Sequence, residues 1–448
     1  MLELGELTLV GAGELLGSGA LSSRELTEAV LRRIDETEPL VHAYATVMPE
    51  QALAAAARAD DERAHGRARG PLHGLPFAVK DVFCTHDAPT EAGSRLLRGY
   101  VAAQDAQTVG ALRRGGAVLV GKLVTHEFCC GQDVPRTRNA WNLADYPGGS
   151  SAGAGVAVAV GSTLAALGTD AGGSVRKPAS LNGVVGLKPT HGLVSMDGVF
   201  LVAPSLDHVG TVTRTVDDCH LVLAALAGPV DVEPGRLNGA RLGVARELFG
   251  DELEPDVRPV VSEALAELER LGGVLVPVSI PSLELALPAG MTILVAEAAA
   301  LHLRRLRETP DGYVPETRRM LELGALLPAV YVESAQRARS LICREVAAVF
   351  RNERLDALVT PTLPRTSIAI EDMVIETDLP RYIPYTLPAN LTGLPAVSVP
   401  CGFTAADLPV GLQLIGRAYT EGTLLGLARD YEQATPWHER RPAFAAAA

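Results

Sequence analysis

The sequence lacks any Cys-x-x-Cys pair: its six cysteines are scattered along 448 residues. A zinc site or a disulfide framework built on cysteine spacing is therefore not indicated. Buried free thiols are the simplest interpretation, and they suit a reducing compartment. We expect no metal and no other cofactor.

An excess of positive charge is also missing, since the net charge is −13. Proteins that bind a phosphate backbone usually present a basic face, so neither nucleic acid nor an anionic membrane is expected as a partner. The charge of the whole chain says nothing about the charge of a substrate, because one site can differ from the average surface.

Long hydrophobic runs are absent as well. The first 17 residues contain Glu3 and Glu6 but no Lys or Arg, which does not match a secretory signal. The longest apolar stretch, about residues 152–168, is short for a membrane span and rich in Gly and Ala. It predicts a buried helix packed closely on its neighbours, and a cytoplasmic protein.

Strand and helix patterns alternate along the chain. Ser22 and Glu25 form a capping box at the start of an amphipathic helix. Residues 74–83 and 116–124 are apolar runs of strand length, and residues 241–280 read as strand, helix, strand. This alternation predicts an α/β sandwich around a buried sheet.

None of the histidines lies in a recognisable catalytic-triad context, so a nucleophilic serine would need another base. Lys80 lies in the apolar run PFAVKDVF. Such a lysine reaches solvent, pairs with an acid such as Asp81, or is buried, in which case burial disfavours its charged form. Taken alone, a paired or solvent-reaching lysine is the simpler interpretation.

Two serine-containing turns supply the rest of a possible site. Ser150 and Ser151 follow two glycines at the predicted start of a helix, where serine is also a common N-cap. The segment Ala171–Ser174 would present successive backbone N–H groups, as an oxyanion hole requires, although a merely tight or anion-binding loop has the same pattern. In combination, Lys80 would accept the proton of Ser150, and Ser150 that of Ser174.

Two other motifs compete with this interpretation. Residues 149–153 match Gly-x-Ser-x-Gly, which would make Ser151 the nucleophile of an α/β-hydrolase, but the preceding NLADYP does not read as the required strand. Residues 116–122 nearly match a phosphate-binding loop, but their apolar strand pattern argues against it.

These stretches together resemble the amidase signature family. The resemblance covers the N-terminal helix, PLHGLPFAVKD, the segment from GGSSAGAG to GLKPTHG, and the C-terminal NLTGLPAVSVPCGF and LPVGLQLIG, and it is loose over about residues 230–355. It implies a serine hydrolase in which Lys80, Ser150 (entered by a cis peptide bond) and the nucleophile Ser174 form the catalytic set. The 24-residue spacing of the two serines fits the family.

The resemblance also implies an oxyanion hole made by the backbone of Ala171, Gly172, Gly173 and Ser174. It implies a single α/β/α domain over residues 1–448 around a large mixed sheet, with a signature core at about 70–215 and a variable substrate-pocket region at about 230–390. Relatives often have Gly-Gly where this chain has Ala152-Gly153, Thr at the position of Ala171, and Cys at Asn182. None of these departures removes a catalytic atom.

The remaining assignments concern the surroundings of the catalytic set. Ser151, Asp170 and Arg176 are expected beside it, with Asp170 bracing the nucleophile turn and Arg176 as its partner. Glu127 borders the acyl pocket in relatives, but a capping or solvated side chain is as good an interpretation. The predicted acyl pocket is partly formed by Phe128, Cys129, Cys130, Gly131 and Gln132.

The substrate prediction rests on a missing acid. The family branch that serves as glutaminase subunit of a tRNA-dependent amidotransferase tends to carry an acidic residue just before Tyr-Thr-x-Pro, where this chain has Ile383-Pro384. We therefore expect an amidase of non-peptide C–N bonds, acting through an acyl-enzyme on aryl amides, anilides or carbamates (a urethanase). Expected partners are a small-molecule amide or carbamate but no nucleic acid and no membrane, for a monomer or homodimer. The alternatives are that glutaminase subunit, or a non-catalytic partner subunit.

Overall fold

The computed structural model describes residues 6–131, 133–250 and 253–443. In this part of the chain, eleven strands, β1–β11, occupy Tyr44–Val47, Pro76–Lys80, Val118–Leu123, Ala165–Thr169, Val185–Lys188, Val209–Thr213, Arg241–Ala245, Val274–Val278, Ala357–Pro361, Ala396–Phe403 and Pro409–Ile415. Fourteen α-helices, α1–α14, occupy Leu9–Ser18, Ser23–Val41, Pro49–Ala64, Gln107–Arg114, Ala152–Ala159, Arg176–Asn182, Val216–Ala227, Val257–Arg270, Ala286–Glu308, Pro315–Leu326, Ala329–Asn352, Ile375–Arg381, Leu387–Thr392 and Glu421–Ala434.

All eleven strands join one mixed sheet in the order β1-β3-β2-β4-β6-β5-β10-β11-β9-β7-β8. The strands β3, β2 and β4 run parallel to one another, as do β9, β7 and β8, and the central pairs are antiparallel. The predicted α/β/α architecture around a large mixed sheet is confirmed. Its consequence for the site is that β2 and β4, which are parallel neighbours, end at the same edge of the sheet.

The local patterns explain the elements at that edge. All residues of β2, β3 and β4 are buried, as expected for parallel strands covered on both faces. Helix α5 packs on these three strands and contains small residues throughout. A Cβ at Gly153 would lie 2.2 Å from the carbonyl oxygen of Ala43, so the close approach of this helix requires glycine there.

The apolar stretch 152–168 differs from the expectation. Instead of one buried helix it forms the short helix α5, a turn, and strand β4. Periodicity could not separate these alternatives, because both elements are buried on all sides and every position is apolar or small. The predicted capping box is present: Ser22 and Glu25 bond reciprocally before α2.

A helical segment outside the signature core, Pro281–Glu308, ends in α9 and is long and apolar enough by length and composition to cross a membrane. A core helix meets the same criterion, and one such helix is weak evidence for a membrane protein. Here α9 packs against α10, α11 and α13. The cytoplasmic location stays a prediction.

Candidate active site

Lys80 ends β2 and is buried with no exposed side-chain surface. Its Nζ lies 2.7 Å from Ser150 Oγ and 2.8 Å from Thr169 Oγ1. Thr169 ends β4, so the contact follows from the shared edge of the two parallel strands. The adjacent Asp81 does not pair with Lys80; its carboxylate lies 3.0 Å from the buried Lys122 on β3.

Ser150 and Ser151, the paired serines before α5, face different partners. The Gly149–Ser150 peptide bond is cis, as the family resemblance implied. The hydroxyl of Ser151 donates to the Thr169 carbonyl at 3.2 Å and is fully buried. In the region before Ser151 that the structure describes, residues 143–150 form no strand, so the α/β-hydrolase elbow lacks its structural context.

The turn after β4 is braced by the expected acid and base. Arg176 is completely buried, and its Nη2 lies 2.9 Å from Asp170 Oδ1. Asn390 donates to the same carboxylate at 2.8 Å. Burial raises the pKa of Asp170, but the charge and hydrogen bonds of Arg176, helped by Asn390, outweigh it and hold that pKa well below its usual range. The carboxylate therefore stays ionised and fixes the turn.

One predicted oxyanion donor needs correction. The N–H of Gly173 donates to Asp170 Oδ1 at 2.8 Å, so this donor is already engaged. Gly173 has φ +104°, and a Cβ there would lie 2.2 Å from the hydroxyl of Thr386. The remaining predicted donors, Ala171, Gly172 and Ser174, all line the cavity described next. Sequence reasoning assigned all four because it counts N–H groups in a turn without their direction.

A cavity opens over these residues. Ser150 and Ser174 both line it, with no direct hydrogen bond between their side chains among the hydrogen bonds of the described chain. Apolar side chains from distant parts of the chain form much of its wall: Met291, Leu294, Leu379, Pro380, Ile383 and Leu387. Two tyrosines, Tyr146 and Tyr382, and a half-buried lysine, Lys177, complete it.

The loop predicted to form the acyl pocket contributes in part. Cys129, Cys130 and Gly131 line the cavity. Phe128 does not: it is buried, with its ring 4.5 Å from that of His302 and 5.9 Å from that of Tyr313. Gln132 lies outside the described residues.

The backbone of this loop is unusual, with φ +46° at Phe128 and +63° at Cys129. Positive φ at non-glycine residues costs energy and is found at ligand sites, where the surroundings hold it in place. Glu127 supplies that hold: its carboxylate accepts hydrogen bonds from Ser94 Oγ at 2.6 Å and from the N–H of Val314 at 2.9 Å. It is a buried anchor and not a solvated side chain.

Several site residues escaped the sequence analysis. Thr169 contacts Lys80, and Thr386 donates its hydroxyl to the Gly172 carbonyl at 2.9 Å. Thr169 was within the recognised segment and could have been found from its place at the end of β4. Thr386 and the apolar wall could not, because no spacing rule links residues more than 100 positions apart.

The six cysteines are all free. A surface cluster, His86, Asp87 and Asp105, has the spacing of potential metal ligands. Arg113 lies 2.8 Å from Asp87 and 3.5 Å from Asp105, so the two carboxylates already have a cationic partner.

Comparison with known proteins agrees with this geometry. The Amidase family model matches residues 25–425. The chain belongs to the amidase family. It is 41% identical to a glutamyl-tRNA(Gln) amidotransferase subunit from Chloroflexus aurantiacus over 99% of each chain.

Solved structures of the amidase family superpose closely. The peptide amidase of Stenotrophomonas maltophilia has a TM-score of 0.86 at 32% identity, covering 98% of this chain and 99% of that one. The corresponding glutamyl-tRNA(Gln) amidotransferase subunit from Thermotoga maritima has a TM-score of 0.81 at 34% identity, covering 97% and 96%.

These relatives overturn the partner prediction. A small molecule as the only partner, with nucleic acid excluded, is wrong as an expectation, because relatives that match over nearly their full length are named as subunits of an enzyme acting on glutamyl-tRNA(Gln). The prediction used the net charge of the whole chain. Net charge is a poor guide for a catalytic subunit of a complex, because such a subunit need not bind the phosphate backbone itself.

Proposed function

We propose that this amidase-family protein is the amide-hydrolysing subunit of an amidotransferase acting on glutamyl-tRNA(Gln). The observation that carries the amide hydrolysis is the 2.7 Å contact of Lys80 with Ser150 in the cavity that also contains Ser174. The subunit role is supported by the 41% identity that extends over 99% of both chains.

The proposed reaction uses Ser174 as nucleophile. Its Oγ attacks the amide carbonyl carbon, its proton passes to Ser150 Oγ, and the Ser150 proton passes to Lys80 Nζ. The developing oxyanion accepts hydrogen bonds from backbone N–H groups of Ala171, Gly172 or Ser174. When the C–N bond breaks, the same relay returns a proton to the leaving nitrogen, which departs as ammonia or an amine. Water then hydrolyses the acyl-enzyme to the carboxylic acid.

Labelling with a fluorophosphonate probe tests the nucleophile. We expect one label on the isolated protein, on Ser174, with loss of labelling in Ser174→Ala. Ser151→Ala is the matched control, because its hydroxyl faces the Thr169 carbonyl, and it should label normally. An unlabelled wild-type protein would instead support the non-catalytic partner subunit.

The subunit role is tested with the tagged protein isolated from its own cells. The isolated fraction should release ammonia from glutamine and convert glutamyl-tRNA(Gln) to glutaminyl-tRNA(Gln), and Ser174→Ala should do neither. A protein that purifies alone and ignores glutamine would exclude this role.

A second candidate is hydrolysis of aryl amides, anilides or carbamates. The apolar wall formed by Met291, Leu294, Ile383 and Leu387 favours it, since such a wall stabilises an apolar acyl or aryl group. Turnover of small p-nitroanilides at rates above that of glutamine would favour this candidate over the glutaminase role.

A further inference from the structure

The lysines of this chain are few and unevenly placed. There are four lysines, against 36 arginines, and all four lie between residues 80 and 188. The positive charges on the surface thus come almost entirely from arginine. The burial and the partners of each lysine are therefore informative.

Three of the four lysines are completely buried and have partners. Lys80 contacts Ser150 and Thr169, and Lys122 pairs with Asp81 at 3.0 Å. Lys188 donates to the carbonyl oxygen of Leu394 at 2.6 Å, among other acceptors.

Lys177 is the exception. Its side chain is half-buried and lines the cavity that contains Ser150 and Ser174. Within residues 6–131, 133–250 and 253–443, its ammonium group has neither a hydrogen-bond acceptor nor a salt-bridge partner.

The charged groups near Lys177 do not offer it a partner. Asp170 attracts it, but the oxygens of that carboxylate are taken by Arg176, Asn390 and backbone N–H groups. The guanidinium of Arg176 repels it. Among the described residues that line the cavity none is an acid, so the cavity presents an unmatched cation inside apolar walls.

We infer that Lys177 is a specificity-determining residue that binds a carboxylate of the substrate, so that the preferred amide is one carrying a negative charge away from the scissile bond. The inference rests on the proposed amide hydrolysis at Ser174. A carboxylate placed there gains a charge-assisted hydrogen bond in a poorly solvated site. In glutamine, the carboxylate in question would be the one next to the α-amino group.

The pKa of Lys177 agrees with this arrangement. Burial, together with the neighbouring Arg176, lowers that pKa to about 8 although Asp170 raises it. The group is thus charged at neutral pH but loses its charge easily, as expected for a cation whose counter-ion arrives with the ligand.

The test compares two amides of similar length, glutaramate (glutamine without its amino group) and pentanamide, which differ in the distal carboxylate. We expect wild type to prefer glutaramate in kcat/KM at least about 10-fold, since a hydrogen bond to a charged group contributes about 10- to 100-fold. Lys177→Met should lose this preference through a higher KM for glutaramate, so that its kcat/KM values for the two amides become similar. Lys177→Arg, which keeps the charge, should restore the preference. A wild type without preference, or a Lys177→Met that keeps it, overturns the inference.

A labelling experiment separates this inference from the proposed function. Acetylation with an N-hydroxysuccinimide ester at pH 8 should modify Lys177 before the three buried lysines, and glutarate should protect it whereas pentanamide should not. The experiment works equally on Ser174→Ala. If glutamine and both test amides are left intact but glutarate protects Lys177, the proposed function fails and the carboxylate site stands. Absence of protection overturns the carboxylate site whatever the activity.

Discussion

Replacing Lys80 with methionine removes the final proton acceptor of the proposed relay, while the size and shape of the side chain stay nearly the same. Methionine fills a similar volume in the buried strand and makes no hydrogen bond to Ser150 or Thr169, which Lys80 contacts at 2.7 and 2.8 Å. Positioned proton transfer contributes about 10²- to 10⁴-fold to rate, or about 3 to 5 kcal/mol of transition-state stabilisation. We expect kcat to fall by that factor.

The double variant of Lys80 and Ser150 gives a stricter test of the relay. If Lys80 acts only through Ser150, the double variant Lys80→Met/Ser150→Ala should be no slower than about the slower single variant, because residues that act as one unit are not additive. Initial rates of ammonia release from glutamine or glutaramate measure all three variants. Ser151→Ala is the control, and it should stay within about 10-fold of wild type since its hydroxyl does not contact Lys80.

Stability separates a catalytic effect from a folding effect in this series. Removing a buried amine relieves its desolvation, while the two hydroxyls that lose a partner cost about 1 kcal/mol each, so the thermal midpoint should change little. The relay would be refuted if the rate loss of the double variant equalled the product of the two single losses. It would also be refuted if Lys80→Met kept more than about a tenth of the wild-type kcat.

Two further predictions concern the charges around the nucleophile turn. Asp170→Asn leaves the buried Arg176 without a counter-charge and should lower the free energy of unfolding by about 3–5 kcal/mol in urea titrations. The control Asp61→Asn, at an exposed aspartate, should lower it by less than about 0.5 kcal/mol. Equal effects would contradict the pairing of Asp170 with Arg176. The KM for a carboxylate-bearing amide should rise as pH passes upward through about 8, because Lys177 then loses its positive charge. The groups that face Lys177 are the charged Asp170 and Arg176 and the amine of Lys80. The KM for pentanamide should show no such rise, and a parallel rise would show that another group is titrating.

Local patterns predicted an α/β sandwich and the two serine turns, whereas the large mixed sheet and the catalytic set were implied by the family resemblance. The strand that contains Lys80 is a short apolar run with flanking Gly74, and the serine turns are marked by consecutive glycines. The contact of Lys80 with Thr169 was not predicted, because it depends on the parallel pairing of two strands that are far apart in the chain and end at one edge of the sheet.

The direction of individual groups was beyond the same reasoning. The sequence predicts that Gly173 presents an N–H, but only the position of the Asp170 carboxylate shows that this N–H is engaged. Phe128 was expected in the pocket because its segment borders the acyl pocket in relatives. Its positive φ turns the side chain instead toward His302 and Tyr313, on segments far away in the chain.

Lys177 shows why specificity is harder to read from sequence than mechanism. It stands three residues after the nucleophile, inside the most recognisable motif of the chain, and by itself is one more basic residue at the start of a helix. Its importance comes from what the rest of the cavity wall lacks, and that wall is built from residues more than 100 positions later, such as Met291 and Leu387. A catalytic set consists of groups that lie in recognisable sequence motifs. A binding preference depends here on one unpaired charge among many apolar neighbours, and those neighbours come from distant segments. The missing acid before Tyr385 concerns the α-ammonium group of glutamine, which that acid tends to hold in the glutaminase branch, whereas Lys177 concerns the carboxylate. Glutaramate, which has the carboxylate without the ammonium group, therefore tests the lysine separately from the missing acid.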